Sequence, residues 1–351
     1  MLSIKTLVWN SEQRRLRTLW RLIGQLIIMS AISIFVEGAV GVYAFGRLLS
    51  RESISPDQLS DPQIVQRLVM ETPLLMMLSG IGVALSLTIS VWLAGRFLDR
   101  RPFASFGFHL DRDWWIDFGF GLGLGTSLML VIFLVELAAG WVNVNGTLVT
   151  TGPDASFLPA ILVPLVTFLA VGLYEELWFR GYQLRNLAEG LTGDLVSPQA
   201  AIVIATLLTS AVFGAVHALN PNASTRSTLN IALAGIKLAT GYLLTGELAI
   251  PIGLHIAWNF TQGNVFGFPV SGTGVRAATF IGIEQGGPDL WTGGAFGPEA
   301  GLLGLGAMVL GVLLTVLWVR RRSGQVGLDL SLAEAPVPSA VEGRERAGRE
   351  T

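Results

Sequence analysis

The sequence predicts an all-α membrane protein, a polytopic bundle of about eight transmembrane helices, and three observations carry that expectation. Of its 351 residues, 51% are hydrophobic and only 14% charged, and mean hydropathy is +0.59. The apolar residues gather in runs of the length, about 20 residues, that crosses a hydrocarbon core of about 30 Å. Backbone groups left unpaired in lipid are so costly that only helices and closed barrels span it, and unbroken apolar runs select the helix.

Taken in order, the runs lie at 22–45, 74–98, 116–142, 158–179, 200–219, 229–244, 250–266 and 302–319. The sixth and seventh are short, as suits spans that are tilted or shielded by protein. Gly119, Gly121, Gly123 and Gly125 in the third fit close helix contact. An N-terminal arm (1–21) precedes an integral-membrane domain (22–322), whose catalytic core is expected at about 156–266. Residues 323–351 lack an apolar period and read as a disordered cytoplasmic tail. The glycine-rich stretch 267–301, with Trp291 and Phe296, is long for a structureless loop and is expected to fold back over the outer face.

Lysine and arginine set the orientation. Lys5, Arg14, Arg15, Arg17 and Arg21 precede the first span; Arg96, Arg100, Arg101 and Arg112 follow the second; Arg320, Arg321 and Arg322 follow the last. Both termini are therefore expected in the cytoplasm of a multi-pass cell-membrane protein. Arg47, Arg51 and Arg67 in the first outer loop dilute that signal without reversing it. The first span is read as retained, since no small-residue cleavage site precedes its polar flank. A net charge of -2 argues against nucleic-acid binding, and zero cysteines exclude disulfides, thiolate nucleophiles and Cys-ligated zinc.

Against this apolar background a few polar side chains stand out, because ionisable groups at membrane depth are expensive and mark sites of work. Glu176 and Arg180 are spaced i,i+4 with the acid first, the favourable order for a helical ion pair, while Glu175 projects about 100° away and is left free. Phe213 and His217 share one face of the fifth span, and His255 and Asn259 one face of the seventh. An antiparallel pairing of spans four and five sets Glu175 level with roughly Val212, about 7–8 Å along the axis from His217. That convergence requires span four to continue as a helix to about residue 188. Bland readings exist for each: an ion pair closing a helix end, core histidines, an amide linking helices. Two of only three histidines falling at these spacings weighs against them. The third, His109, beside Trp114 and Trp115, reads as an interfacial residue.

Glu175-Glu176-Leu-Trp-Phe-Arg180, Phe213-Gly-Ala-Val-His217 and His255-Ile-Ala-Trp-Asn259, in this order, resemble the signature motifs of the CPBP family of intramembrane endopeptidases, the CAAX-protease and bacteriocin-processing family. The resemblance implies a multi-helix membrane protease with these side chains around one cavity. Glu175 would activate a water that His217 helps position, His255 and Asn259 would stabilise the oxyanion, and Arg180 would fix Glu176. The substrate implied is a membrane-tethered or lipidated peptide or protein. Members have been described both as metalloproteases and as glutamate-dependent hydrolases. Asn259 suits a donor role better than a ligand role, which favours the metal-free version; Zn2+ on Glu175, His217 and His255 is the alternative, although the chain lacks the His-Glu-xxx-xxx-His spacing of common zinc proteases. Two rival classes stand beside the protease: a transporter using Glu37, Glu136 and Lys237 as a polar path, although no internal repeat is visible, and a non-catalytic immunity or scaffold protein of the same fold.

Overall fold

The computed structural model describes residues 7–49, 72–151, 155–274 and 277–336. After a small hairpin of β1 (Trp9–Asn10) and β2 (Arg15–Leu16), the chain runs through α1 (Thr18–Leu49) and α2 (Pro73–Ala94). There follow α3 (Arg112–Ala138), β3 (Val142–Thr150), α4 (Phe157–Leu191), α5 (Pro198–His217) and α6 (Thr225–Thr245). The described chain is completed by α7 (Ala249–Phe260), β4 (Ala278–Gln285) and α8 (Leu302–Ser323).

Local chemistry sets several of these boundaries. The Asp111 carboxylate accepts from the Trp114 N–H at 2.8 Å to start α3. Ser224 and Ser227 form a reciprocal capping box at the start of α6, and Pro73 and Pro198 occupy first-turn positions where a missing N–H costs nothing. Gly246, at φ 70°, closes α6 in the left-handed conformation that glycine reaches without strain.

Among the described residues, seven helices are long and apolar enough to cross a membrane: all but α7. The chain is a multi-pass, all-α membrane protein. α7 is different in kind, because every residue from Ala249 to Asn259 is buried, against α3, α4 and α6. Glycine makes that possible. A Cβ on Gly121 or Gly125 would sit 2.5 Å or 2.7 Å from the carbonyl oxygens of Ile250 and Leu254, and one on Gly253 would sit 2.4 Å from that of Phe118. α3 and α7 therefore touch backbone to backbone. Only two of the four glycines expected to pack on α3 do so: Gly119 and Gly123 meet nothing within 4 Å, since period 3.6 turns them to the opposite face.

β3 and β4 pair antiparallel from Val142↔Gln285 to Thr150↔Ala278, with an irregularity between Val144 and Gly146. They mark one end of the bundle, the hairpin end, where the 266–301 segment also lies. At the opposite end, the termini end, the segment around the start of α1 is tied to the residues after α2 and to the end of α4. Arg21 pairs with Asp99 at 2.8 Å and Glu189 at 2.7 Å, Arg101 pairs with Glu189 at 2.6 Å, and Arg15 also bonds Glu189.

The expected tail needs correcting. Residues 330–333 form a 3-10 turn in which Leu332 and Ala333 are buried, the Asp329 N–H donates to the Leu243 carbonyl at 2.8 Å, and Arg185 donates to the Ser331 carbonyl at 3.1 Å. Leu328 and Leu332 anchor the segment, too few apolar residues to show as a period. The rest of that expectation, 337–351, lies outside the described residues, as do Arg51 and Arg67.

Candidate active site

α4 runs unbroken to Leu191, the extension that the sequence argument required. From Leu177 to Leu184 it widens into a π-helical stretch, and α7 does the same at Thr261–Val265. Each widening follows immediately on a motif, after Glu175-Glu176 in one helix and after Asn259 in the other. π-turns of this kind inside helices recur at functional sites.

Between the helices and under the 266–301 segment lies a cavity of about 290 Å³, lined by Glu175, His217, His255 and Asn259. Four side chains spread over 85 positions thus face one space. Its walls are mostly apolar, with Phe168 and Val171 from α4, Val216 from α5, Ile231 from α6, Met76 from α2 and Met308 from α8. Its rim carries Asn220, Ser271 and Thr273 from the hairpin end.

Glu176 and Arg180 stand behind this surface. The guanidinium donates to Glu176 Oε1 at 2.9 Å and to the Gly235 carbonyl at 3.0 Å, and lies 4.6 Å from the Phe213 ring centroid. The same Glu176 Oε1 accepts from His255 Nδ1 at 2.7 Å. Arg180, Glu176 and His255 form a buried chain of charge-assisted bonds that fixes the imidazole and its proton-bearing nitrogen. The other ring nitrogen, Nε2, is aimed at Glu175 Oε2, 3.8 Å away. That separation exceeds hydrogen-bond range, and Glu175 Oε2 is buried with no partner among the described residues.

His217 is locked in the same manner. Its Nδ1 donates to the Phe213 carbonyl at 2.8 Å, one turn earlier in α5, so Nε2 is the nitrogen left for the cavity. Asn259, almost fully buried, reaches the cavity with both functions of its carboxamide unengaged among the described residues. All six residues singled out in the sequence are therefore accounted for: four line the cavity, and Glu176 with Arg180 hold one of the four.

No group of three His, Asp or Glu side chains among the described residues is arranged to hold a metal ion. His255 Nδ1 is given to Glu176 and His217 Nδ1 to Phe213, which leaves Glu175 and the two Nε2 atoms as the groups that would hold a zinc ion; no step below is routed through one.

The sequence reading missed part of the cavity. Glu299 also lines it, bonded by the Ser271 N–H at 2.6 Å, the Ser271 hydroxyl at 3.0 Å and the Gln262 amide. The glycine-rich run around it was the one available signal. Lys237 lines it too, whereas the sequence reading assigned it to a rival polar path with Glu37 and Glu136. Those two carboxylates have partners of their own: Ser79 at 3.0 Å from Glu37, and Gln285 at 2.9 Å from Glu136. His109, read as interfacial, is exposed and pairs with Glu247.

Comparison with known proteins places this geometry. Residues 157–261, which contain all three motifs, match the family model described as type II CAAX prenyl endopeptidase Rce1-like. The chain is also 25% identical over 250 residues to the uncharacterized protein YyaK of Bacillus subtilis (strain 168), an alignment covering 69% of this chain and 76% of that one. No solved structure matches the chain. Residues 157–261, which supply most of the cavity lining, are similar to the Rce1-like CAAX-protease family that the motifs resemble.

Proposed function

We propose that the protein is an intramembrane endopeptidase that hydrolyses a peptide bond of a membrane-associated protein or peptide. The observation that carries this reading is the Glu175 carboxylate, whose buried Oε2 has no partner among the described residues, in the lining of a cavity that His217, His255 and Asn259 also line. Glu175, with His217 positioning the water, takes a proton from it as the water oxygen attacks the carbonyl carbon. The electron pair displaced onto the carbonyl oxygen is met by the Asn259 N–H and by His255. Glu176 and Arg180 hold that ring in place through its Nδ1. As the C–N bond breaks, Glu175 passes its proton to the leaving amine, and both peptide products are released.

The test is cleavage of a membrane-tethered substrate by purified protein. Glu175→Ala abolishes it while the protein stays folded; undiminished cleavage refutes the mechanism. Stoichiometric zinc together with chelator-sensitive activity would overturn the metal-free form of the reading.

Orientation belongs to the same proposal. With both termini cytoplasmic, the rim at Ser271 and Thr273 opens away from the cytoplasm. Because the chain has no cysteine, a single cysteine at the exposed Leu195 or Leu148 reports directly. A membrane-impermeant maleimide applied to intact cells labels the Leu148→Cys protein and spares Leu195→Cys; the reverse pattern inverts the topology.

A further inference from the structure

Lys237 has no role in the hydrolysis described above, yet it lines the same cavity. It is 4% exposed, and its Nζ lies 3.7 Å from the centroid of the Trp258 ring, one residue before Asn259. Its stem packs beside Gly311 of α8, where an added Cβ would meet the Lys237 side chain at 3.6 Å. Among the described residues no carboxylate comes within ion-pair distance of this ammonium; the ring is its direct contact, and Glu176 and Glu299 act on it only from farther away. Both of those acids are bonded to other groups, Glu176 through Oε1 alone. Glu176 is bonded by Arg180 and His255, and Glu299 by Ser271 and Gln262. A lysine held this deep without an anion is costly, since a buried charge is ordinarily paired. Every other buried basic side chain discussed above has its carboxylate or carbonyl acceptor within the chain. A cation reserved in this way at a cavity wall calls for an anion brought from outside.

Resting on the proteolytic reading, we infer that Lys237 is a specificity-determining residue that anchors a carboxylate of the substrate, so that peptides bearing one next to the scissile region are preferred. Two sources supply such a group: the free C-terminus of a peptide cut close to its end, and an aspartate or glutamate side chain. The site is enclosed by Ile231, Leu238 and Met308, so the residues flanking that carboxylate are apolar. Lys237 acts on recognition rather than on bond making, and its loss should appear in KM.

Steady-state cleavage by the purified full-length protein is measured on one fluorogenic apolar decapeptide in three forms: the free acid, the C-terminal amide, and the amide with a single internal glutamate. The wild type is expected to show a KM for the acid about tenfold or more below that for the amide, as befits one charge-assisted hydrogen bond. Lys237→Met should raise the acid's KM to the amide's value with kcat unchanged, and Lys237→Arg should keep part of the preference. If the internal-glutamate form holds the advantage instead, the anchor stands and its ligand is a side chain. Equal KM for all three forms in the wild type overturns the inference, as does a Lys237→Met protein that loses ground on all three alike, the result of a purely packing role against Trp258. Calorimetric binding of the same peptides needs no turnover. A wild type that binds the acid over the amide but cleaves neither would sink the protease reading and leave the assignment of Lys237 standing.

Discussion

Two carboxylates on the same helix, fourteen positions apart, are treated in opposite ways. At the termini end Glu189 receives Arg15, Arg21 and Arg101, with Asp99 sharing Arg21. In the cavity Glu175 has an oxygen with no partner among the described residues, and the nearest cation candidate, His255 Nε2, stops at 3.8 Å. The pairing around Glu189 ties the start of α1, the segment after α2 and the end of α4 together. Incomplete pairing leaves Glu175 an open oxygen, which the proposed hydrolysis needs and stability does not. Proteins keep such costs where chemistry is done and offset them elsewhere; here the offset lies in the network at the far end of the same helix.

Exchanging the two roles by mutation breaks the comparison if it is wrong. Glu175→Gln keeps shape and removes the base, so kcat should fall by about 10³-fold, within the range general-base catalysis contributes and worth about 4 kcal/mol at the transition state. Thermal stability should hold or rise, since a carboxylate oxygen buried without a partner among the described residues has gone. Glu189→Ala should do the reverse. It strands three arginines and should cost about 3–5 kcal/mol of stability, the usual consequence of removing one side of a buried ion network. Activity per folded molecule should be unchanged. Melting curves and turnover on the same two preparations decide the matter, and a Glu189→Ala protein with native stability and crippled turnover would reverse the assignment.

Much of the cavity end was legible because its determinants are local. The i,i+4 spacings of Glu176/Arg180, Phe213/His217 and His255/Asn259 can be read without knowing the fold, and each is realised as a shared helix face. The termini-end network was not legible, for the opposite reason. Arg21 and Arg101 counted only as basic flanks of apolar runs, yet both are nearly fully buried and bonded to Glu189, 168 and 88 positions away. Charge clustering beside a span carries no information about distant pairing. The β3–β4 ribbon escaped for the same reason: neither strand is strongly patterned, and its ladder joins residues such as Asn143 and Glu284 across the catalytic core. The buried position of α7 was half legible, in its shortness, while the glycine contacts that permit it depend on which face of α3 it meets.

A finer contrast separates the residues that line the cavity. In the proposed reaction Asn259 presents an amide to the attacked carbonyl and supports no other group, so Asn259→Ala should lower kcat by about 10²–10³-fold, the range seen when one oxyanion donor is lost. KM should move little, because the interaction strengthens only as charge develops. If KM rises and kcat holds, Asn259 binds the ground state and the oxyanion assignment fails.

The smallest effect belongs to the exposed pair of His109 and Glu247, in the turn between α6 and α7 and outside the spanning helices. Unlike Glu189, this carboxylate has a single, half-solvated partner, and burial holds its pKa above the ordinary carboxyl range, with His109 pulling it back only in part. A raised value in the folded state means that the folded protein holds this proton more tightly than the unfolded chain. The resulting stabilisation is present in full below the unfolded carboxyl value of about 4.3 and is lost as pH rises through the folded value. Glu247→Gln should therefore flatten the stability profile above pH 4. His109→Ala should lower stability at neutral pH by less than about 1 kcal/mol, and by less again in high salt, as expected of an exposed pair. A loss of several kcal/mol from His109→Ala would put this pair in the class of the Glu189 network and erase the distinction between the held carboxylates and the free one.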